Sequence, residues 1–279
     1  MITTPRIHWR AFSVPKLGNR PEENEDACLP EPGLSTRIGE GEFQCAVSDG
    51  ATSTSFSGLW ARLLVSEALA RPVPVGPVHP DLAGLVASAQ ARWRNELAGL
   101  DLPWHAEEKV RQGAFATLAW FGLRCAGRTA RSGGDWQAVT VGDSCIFQIR
   151  AGAVVKMAPV YCSADFARAP LLLSSVPARN AVVLSRPAAL TAAGRWAAGD
   201  EFLLMTDALA GWFVRETEKG ACPLDRLKEG PGAPLGPQPA FARWVQTLRE
   251  NGKIKNDDTT LAWITLDGKP SGIPPRLTK

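Results

Sequence analysis

Across residues 43–52 the chain reads FQCAVSDGAT, an apolar, strand-favouring run that stops at an acid and a glycine. A strand that ends this way delivers a carboxylate to the rim of a sheet. Gly50 lets the backbone turn sharply, so that its own carbonyl can face the same side as Asp49. Taken alone, the pattern reads best as an ordinary Asp-Gly turn. Its recurrence changes that reading. Strand followed by acid returns in AVTVGD (138–143) and in FLLMTD (202–207), and the pair Asp257-Asp258 precedes a further strand, TTLAWITL.

The rest of the chain narrows what such acids can serve. Of 279 residues, 45% are hydrophobic and 21% charged, which allows a packed core and argues against global disorder. The net charge is only +3, with both signs interspersed, so there is no electrostatic footprint for nucleic acid and no basic block for a membrane surface. The opening MITTPRIHWRAFSVPKLG lacks the apolar core and cleavage site of a secretory signal. No apolar run approaches the roughly 20 residues of a membrane span. A soluble cytoplasmic protein is expected. The six cysteines, at 28, 45, 125, 145, 162 and 222, contain no CxxC pair, so neither a disulfide framework nor a zinc site is expected. Cys45, Cys125, Cys145 and Cys162 lie in or beside apolar stretches, as small buried residues do. His8, His79 and His105 are the only histidines, and none is near an acidic strand end. A metal would therefore be held by oxygen, which points to magnesium or manganese.

In chain order, residues 7–14 alternate as a first strand. A polar loop, GNRPEENEDACLP, then places Glu25 and Asp26 directly before the short strand start Ala27-Cys28-Leu29. Residues 54–69 and 81–100 have helical spacing of their apolar residues. Residues 107–112 read as a short polar link into the strand AFATLAWFGL, and 136–150 as a hairpin around VGDSC. A proline-broken surface excursion follows over 158–190. A helix starts at 209, a Pro- and Gly-rich loop spans 229–239, and another helix covers 240–251. One domain over 1–268 with a flexible tail over 269–279 is expected. Irregular alternation of strands and helices argues against a doubly wound parallel sheet and for two packed antiparallel sheets with helices outside. No P-loop, dinucleotide fingerprint or GxSxG elbow is present.

Six segments then come in a telling order: NEDA (24–27), AVSDGATS (46–53), FATL (115–118), VGDS (141–144), LLMTDALAGW (203–212) and DDTTLAW (257–263). In this order the chain resembles the protein phosphatase 2C family of metal-dependent serine/threonine phosphatases, and is most similar to its compact bacterial branch. The resemblance implies an α/β/β/α sandwich, an α+β fold whose two central antiparallel sheets hold two Mg2+ or Mn2+ ions at one edge. It implies that Asp49 bridges both ions and that the Gly50 carbonyl binds one. Asp207 and Asp257 would complete the first ion, while Glu25 and Asp26 would hold the second, and Asp143 would serve a weaker third. Arg20 would bind the phosphate, although it stands one residue further from the acidic pair than the family's arginine. Ala51 replaces the family's histidine after Asp-Gly, Gly211 replaces a further acid, and Asp258 takes the place of an asparagine. The implied activity is hydrolysis of phosphoserine and phosphothreonine monoesters by a water activated between the two metals. The implied partner is a phosphorylated protein, in opposition to a Ser/Thr kinase, with the enzyme a monomer. A catalytically weak relative that binds a phosphorylated partner is the alternative reading.

Overall fold

The computed structural model describes residues 7–31, 42–51, 56–72, 74–76, 80–101, 103–126, 133–186, 190–229 and 238–267. The tail over 269–279 and most of the Pro- and Gly-rich loop lie outside the described residues. The chain begins with strands β1 (Ile7–Val14), β2 (Ala27–Leu29) and β3 (Glu42–Ser48), then helices α1 (Ser57–Leu69), α2 (Leu82–Ala98) and α3 (Trp104–Gln112). Next come β4 (Phe115–Ala116), β5 (Leu118–Cys125), β6 (Gly134–Val141), β7 (Cys145–Arg150), β8 (Ala153–Ala158), β9 (Leu173–Ser174) and the single turn α4 (Ala181–Leu184). The chain closes with β10 (Thr191–Trp196), β11 (Glu201–Met205), α5 (Asp207–Glu218), α6 (Pro223–Glu229), α7 (Gln238–Glu250) and β12 (Thr259–Leu266).

Two five-stranded antiparallel sheets form the centre, ordered β1-β12-β11-β7-β8 and β10-β6-β5-β3-β2. Alternation within the strands explains why they pack face to face. Phe43, Cys45 and Val47 of β3 point between the sheets, as do Phe202 and Leu204 of β11, with Phe121 and Phe202 meeting at 4.8 Å between ring centroids. The residues in between, such as Ala46, Leu203 and Met205, face outward but are buried again by helices. Helices α1 and α2 cover the β3 sheet through Trp60, Leu64, Leu85 and Trp93. Helices α5, α6 and α7 cover the β11 sheet through Leu209, Phe213, Leu227 and Phe241. Strands buried on both faces need continuous apolar runs, which is what the sequence has there. The four layers α/β/β/α match the expected fold.

Three local expectations change. Residues 141–145 are not the turn of a hairpin: β6 pairs with β5 and β10, while β7 pairs with β11 and β8, so Gly142, Asp143 and Ser144 carry the chain from one sheet to the other. The expected polar link before the FATL strand is the end of α3, a mostly exposed helix whose Val110 packs partly against the core. A further short helix, α6, precedes the expected loop. Among the cysteines, Cys45 and Cys145 are buried, whereas Cys125 and Cys162 are partly exposed.

Candidate metal centre

Strand register places the acids. Val14 pairs with Thr259, Met205 with both Leu261 and Cys145, Ala27 with Ser48, and Leu118 with Val141. These residues all lie at one end of the sandwich. Asp26 immediately precedes Ala27, Asp49 follows Ser48, Asp143 sits between Val141 and Cys145, Asp207 comes two residues after Met205, and Asp257-Asp258 leads into Thr259. Strands from both sheets therefore deliver their terminal acids to the same end.

The electrostatics carry the mark of that convergence. Burial, and after it the charges of Asp26, Asp207, Asp257 and Asp143, push the Asp49 carboxyl well above the ordinary carboxylate range. Asp26 is pushed well up by its burial in the first place, with Asp258 and Asp207 adding repulsion and the Thr206 hydrogen bond pulling the other way. Asp143 is raised to about 6 by partial burial and by Asp207. Asp257 is raised by burial and again by Asp207. Groups so placed resist ionising together unless cations join them.

The backbone around Asp49 is held by hydroxyl residues of the AVSDGATS, FATL and VGDS segments. Asp49 donates its N–H to Thr117 Oγ1 at 2.9 Å and accepts from the Thr117 N–H at 2.9 Å. Thr117 Oγ1 in turn lies 2.6 Å from Ser144 Oγ, and the Ser48 hydroxyl donates to the Thr117 carbonyl at 2.6 Å. The corner that supplies Ser144 turns at Gly142, whose φ is +96° and where a Cβ would come within 2.5 Å of the Thr117 side chain. Gly50 is equally confined. A Cβ there would meet the Glu25 carbonyl oxygen and the Ser57 backbone carbon at 2.8 Å each, so only glycine lets these segments meet.

On the other side, Asp26 Oδ2 accepts from the Thr206 hydroxyl at 3.0 Å, and Thr206 Oγ1 accepts from the Thr260 N–H at 2.9 Å. Asp258 is buried and accepts from the N–H of Lys16 and of Glu25, each at 2.7 Å, which ties the acidic loop to the start of β12. Its carboxylate thus orients the loop. Arg249 reaches under the same loop from α7 and donates to the carbonyls of Asp257 at 2.6 Å and Pro15 at 2.9 Å. Lys255 donates to Asp207 Oδ2 at 2.6 Å. Neither cation was foreseen, although Lys255 stands only two positions before Asp257.

Two further candidates are engaged with neighbours of their own. The Glu25 carboxylate accepts from the Ser57 hydroxyl and from Lys16 Nζ at 3.3 Å. The Arg20 side chain is 78% exposed, with its Nε 3.6 Å from Glu23 Oε2, and its backbone N–H donates to the same carboxylate.

An ion fits the donor set. All the converging side chains offer oxygen, as Mg2+ and Mn2+ prefer. Among the described residues, Asp26 Oδ1 and Asp207 Oδ1 are buried oxygens without a hydrogen-bond partner, a costly condition that a coordinated cation removes. Among the described residues no group of three or more His, Cys, Asp or Glu side chains is placed to hold a metal ion. The acids act on one another through their charge at this end of the sandwich, with the Lys255 ammonium at Asp207.

A sequence model of the protein phosphatase 2C family matches residues 20–262. No curated protein sequence matches the chain. Among solved structures, the Mycobacterium tuberculosis serine/threonine phosphatase PstP/Ppp superposes with a TM-score of 0.58 at 15% identity, covering 94% of this chain and 100% of that one. The catalytic domain of PstP in complex with two manganese ions superposes with a TM-score of 0.50 at 18% identity, covering 95% and 100%. The phosphatase domain of SpoIIE from Bacillus subtilis, solved with a fragment of its regulatory domain, gives 0.52 at 14% identity, covering 96% of this chain and 65% of that one.

Proposed function

Because the chain belongs to the protein phosphatase 2C family, we propose that it hydrolyses phosphoserine and phosphothreonine monoesters in proteins with two Mg2+ or Mn2+ ions held where its acids converge. The observation that carries the proposal is the single carboxylate of Asp49 within the field of Asp26, Asp207, Asp257 and Asp143. Asp49 would lie between the two ions and the Gly50 carbonyl would contact one. Asp207 and Asp257 would complete one site, Glu25 and Asp26 the other, and Asp143 a weaker third. The two manganese ions in the structurally similar PstP domain support this loading. Bound there, a pair of divalent ions would neutralise a phosphomonoester dianion and lower the pKa of a water between them.

The chain's own contribution is preorganisation. Thr117 and Ser144 fix the backbone at Asp49, Thr206 and Thr260 orient Asp26, and Arg249 holds the Asp257 carbonyl. Ala51 offers no imidazole to protonate the departing alkoxide, so that proton comes from another group. Arg20, on the same loop as Glu25, would turn from Glu23 to the substrate from the solvent side. We assign these roles to one catalytic domain over 1–268, acting as a cytoplasmic monomer on a phosphoprotein made by a Ser/Thr kinase. Among the described residues no helix is long and apolar enough to cross a membrane. Hydrolysis of a phosphoserine or phosphothreonine peptide with and without Mn2+ tests the proposal. A protein that binds Mn2+ yet turns over no phosphopeptide or p-nitrophenyl phosphate would be a phosphoprotein-binding module instead.

A further inference from the structure

We propose that Lys255 is the inner phosphate-binding cation of this enzyme, a lysine that passes from Asp207 to the substrate's phosphoryl oxygens when Asp207 takes an ion; this rests on the phosphatase reading above.

Three observations carry it. The first is position. Lys255 Nζ lies 2.6 Å from Asp207 Oδ2, and its charge is also felt at Asp143 and Asp257. The ammonium therefore stands among the acids that would hold metal.

The second is anchoring of its backbone. Ile254 is buried in the core beneath α5 and α7, and the Lys253 carbonyl accepts from Arg215 Nη2 at 2.8 Å. On the other flank, Asn256 exchanges two hydrogen bonds with the Leu17 backbone, at 2.7 and 3.2 Å. With both flanks pinned, the Lys255 stem cannot carry its charge away by loop movement. Only side-chain torsions are left to it.

The third is access. The Lys255 side chain is 61% exposed although its tip touches a buried carboxylate, so it lines the solvent mouth of the site. With Asp207 engaged by an ion, the Lys255 ammonium would lose its acceptor and be repelled. With Asp257 and Asp143 holding ions as well, the anion left to a pinned, rotatable ammonium would be the dianionic group drawn to those ions. Lysine suits this exchange, since a point charge with three rotatable donors can change partner without the planar match that arginine needs. Two other cations near the acidic loop are placed differently. Arg249 directs its Nη1 and Nη2 to backbone carbonyls beneath the loop, and Arg20 faces outward beside Glu23.

Calorimetry on the full chain tests the proposal without relying on turnover. Mn2+ is titrated first, and inorganic phosphate is then titrated into the Mn2+-loaded protein. Lys255→Met should weaken phosphate binding roughly ten- to a hundredfold, the effect of losing a charge-assisted hydrogen bond. The same variant should bind Mn2+ more tightly, because no ammonium has to be displaced. Lys255→Arg should keep most of the phosphate affinity. Lys253→Met, which removes the same charge two residues away, should leave both titrations as in the wild type. Unchanged phosphate binding in Lys255→Met overturns the proposal, even if Mn2+ binding tightens, and so does an equal loss in Lys253→Met. Wild-type protein that binds both ligands but hydrolyses no phosphopeptide overturns the phosphatase reading and leaves the role of Lys255 standing. Wild-type protein that hydrolyses phosphopeptide while Lys255→Met matches it in phosphate binding overturns this inference alone.

Discussion

The Thr206 hydroxyl donates to Asp26 Oδ2 at 3.0 Å across 180 residues of chain, and the bond joins the two central sheets at the end where their acids meet. Thr206 follows β11 of one sheet, Asp26 precedes β2 of the other, and the same hydroxyl oxygen accepts the Thr260 N–H. Thr206→Val keeps the shape and removes both functions, leaving a second oxygen of buried Asp26 without a partner. A loss of about 1–3 kcal/mol is expected from urea denaturation in chelator, with Thr206→Ser close to wild type. Equal stability of Val and wild type would show that the bond contributes nothing.

Metal removal is the most direct check on the site. Turnover of p-nitrophenyl phosphate should vanish after exhaustive chelation and return with Mn2+ or Mg2+. Full activity in the chelated protein would rule out the oxygen-donor metal site.

The acids should rank by position. Asp49→Asn should abolish turnover and leave the fold intact, and it should raise the melting temperature in chelator because it relieves repulsion with Asp26, Asp207, Asp257 and Asp143. Asp143→Asn should be much milder in activity, since Asp143 stands at the corner between the sheets. Equal losses of activity in the two variants would contradict this ranking.

Stability in chelator should fall as pH rises. Asp26, Asp49, Asp143 and Asp257 all have folded-state values above the ordinary carboxylate value of 3.8, so the folded state binds protons more tightly than the unfolded one. By linkage, stability is greatest at low pH within this set and declines from about pH 4 upward. For Asp143 the decline is complete just above its folded value of about 6. Mn2+ should oppose the trend, so the rise in melting temperature on adding it should grow between pH 4 and 6.5. Melting curves in chelator that are flat or rising over this window would contradict the reading.

Arg20 and Glu23 form a further test. If Arg20 must leave Glu23 to meet substrate, Glu23→Gln should lower KM for a phosphopeptide. Arg20→Ala should raise it, by less than roughly tenfold because an exposed pair contributes little. Metal affinity should stay unchanged in both. A KM that stays at the wild-type value in both variants would remove Arg20 from the reaction.

What could be read from the chain followed its physics. Strands buried on both faces need unbroken apolar runs, so acids that flank them stand out: Asp49, Asp143 and Asp207 after such runs, Asp257 before one. The destination of a strand leaves no local trace. Val-Gly-Asp-Ser between β6 and β7 reads the same whether the chain turns back in one sheet or crosses to the other, and here it crosses. Helix α3 escaped notice because too few of its residues are apolar to mark a buried face. Thr117, Ser144 and Thr206 lie inside the FATL, VGDS and LLMTDALAGW segments, but their roles depend on partners 27 to 180 residues away. Lys255 and Arg249 showed no pattern at all, since a lone cation acquires meaning only from the carboxylates or carbonyls that folding brings to it.

The crossing at Asp143 makes the acid end of the sandwich a clasp. Asp26 and Asp49 belong to one sheet and Asp207 and Asp257 to the other, so ions shared among them would lock the two sheets against sliding. Loading would then be legible far from the ions, as slower amide exchange along the whole of β1 and β3. A signal that weakened the clasp would soften the interior between the sheets before it touched the chemistry.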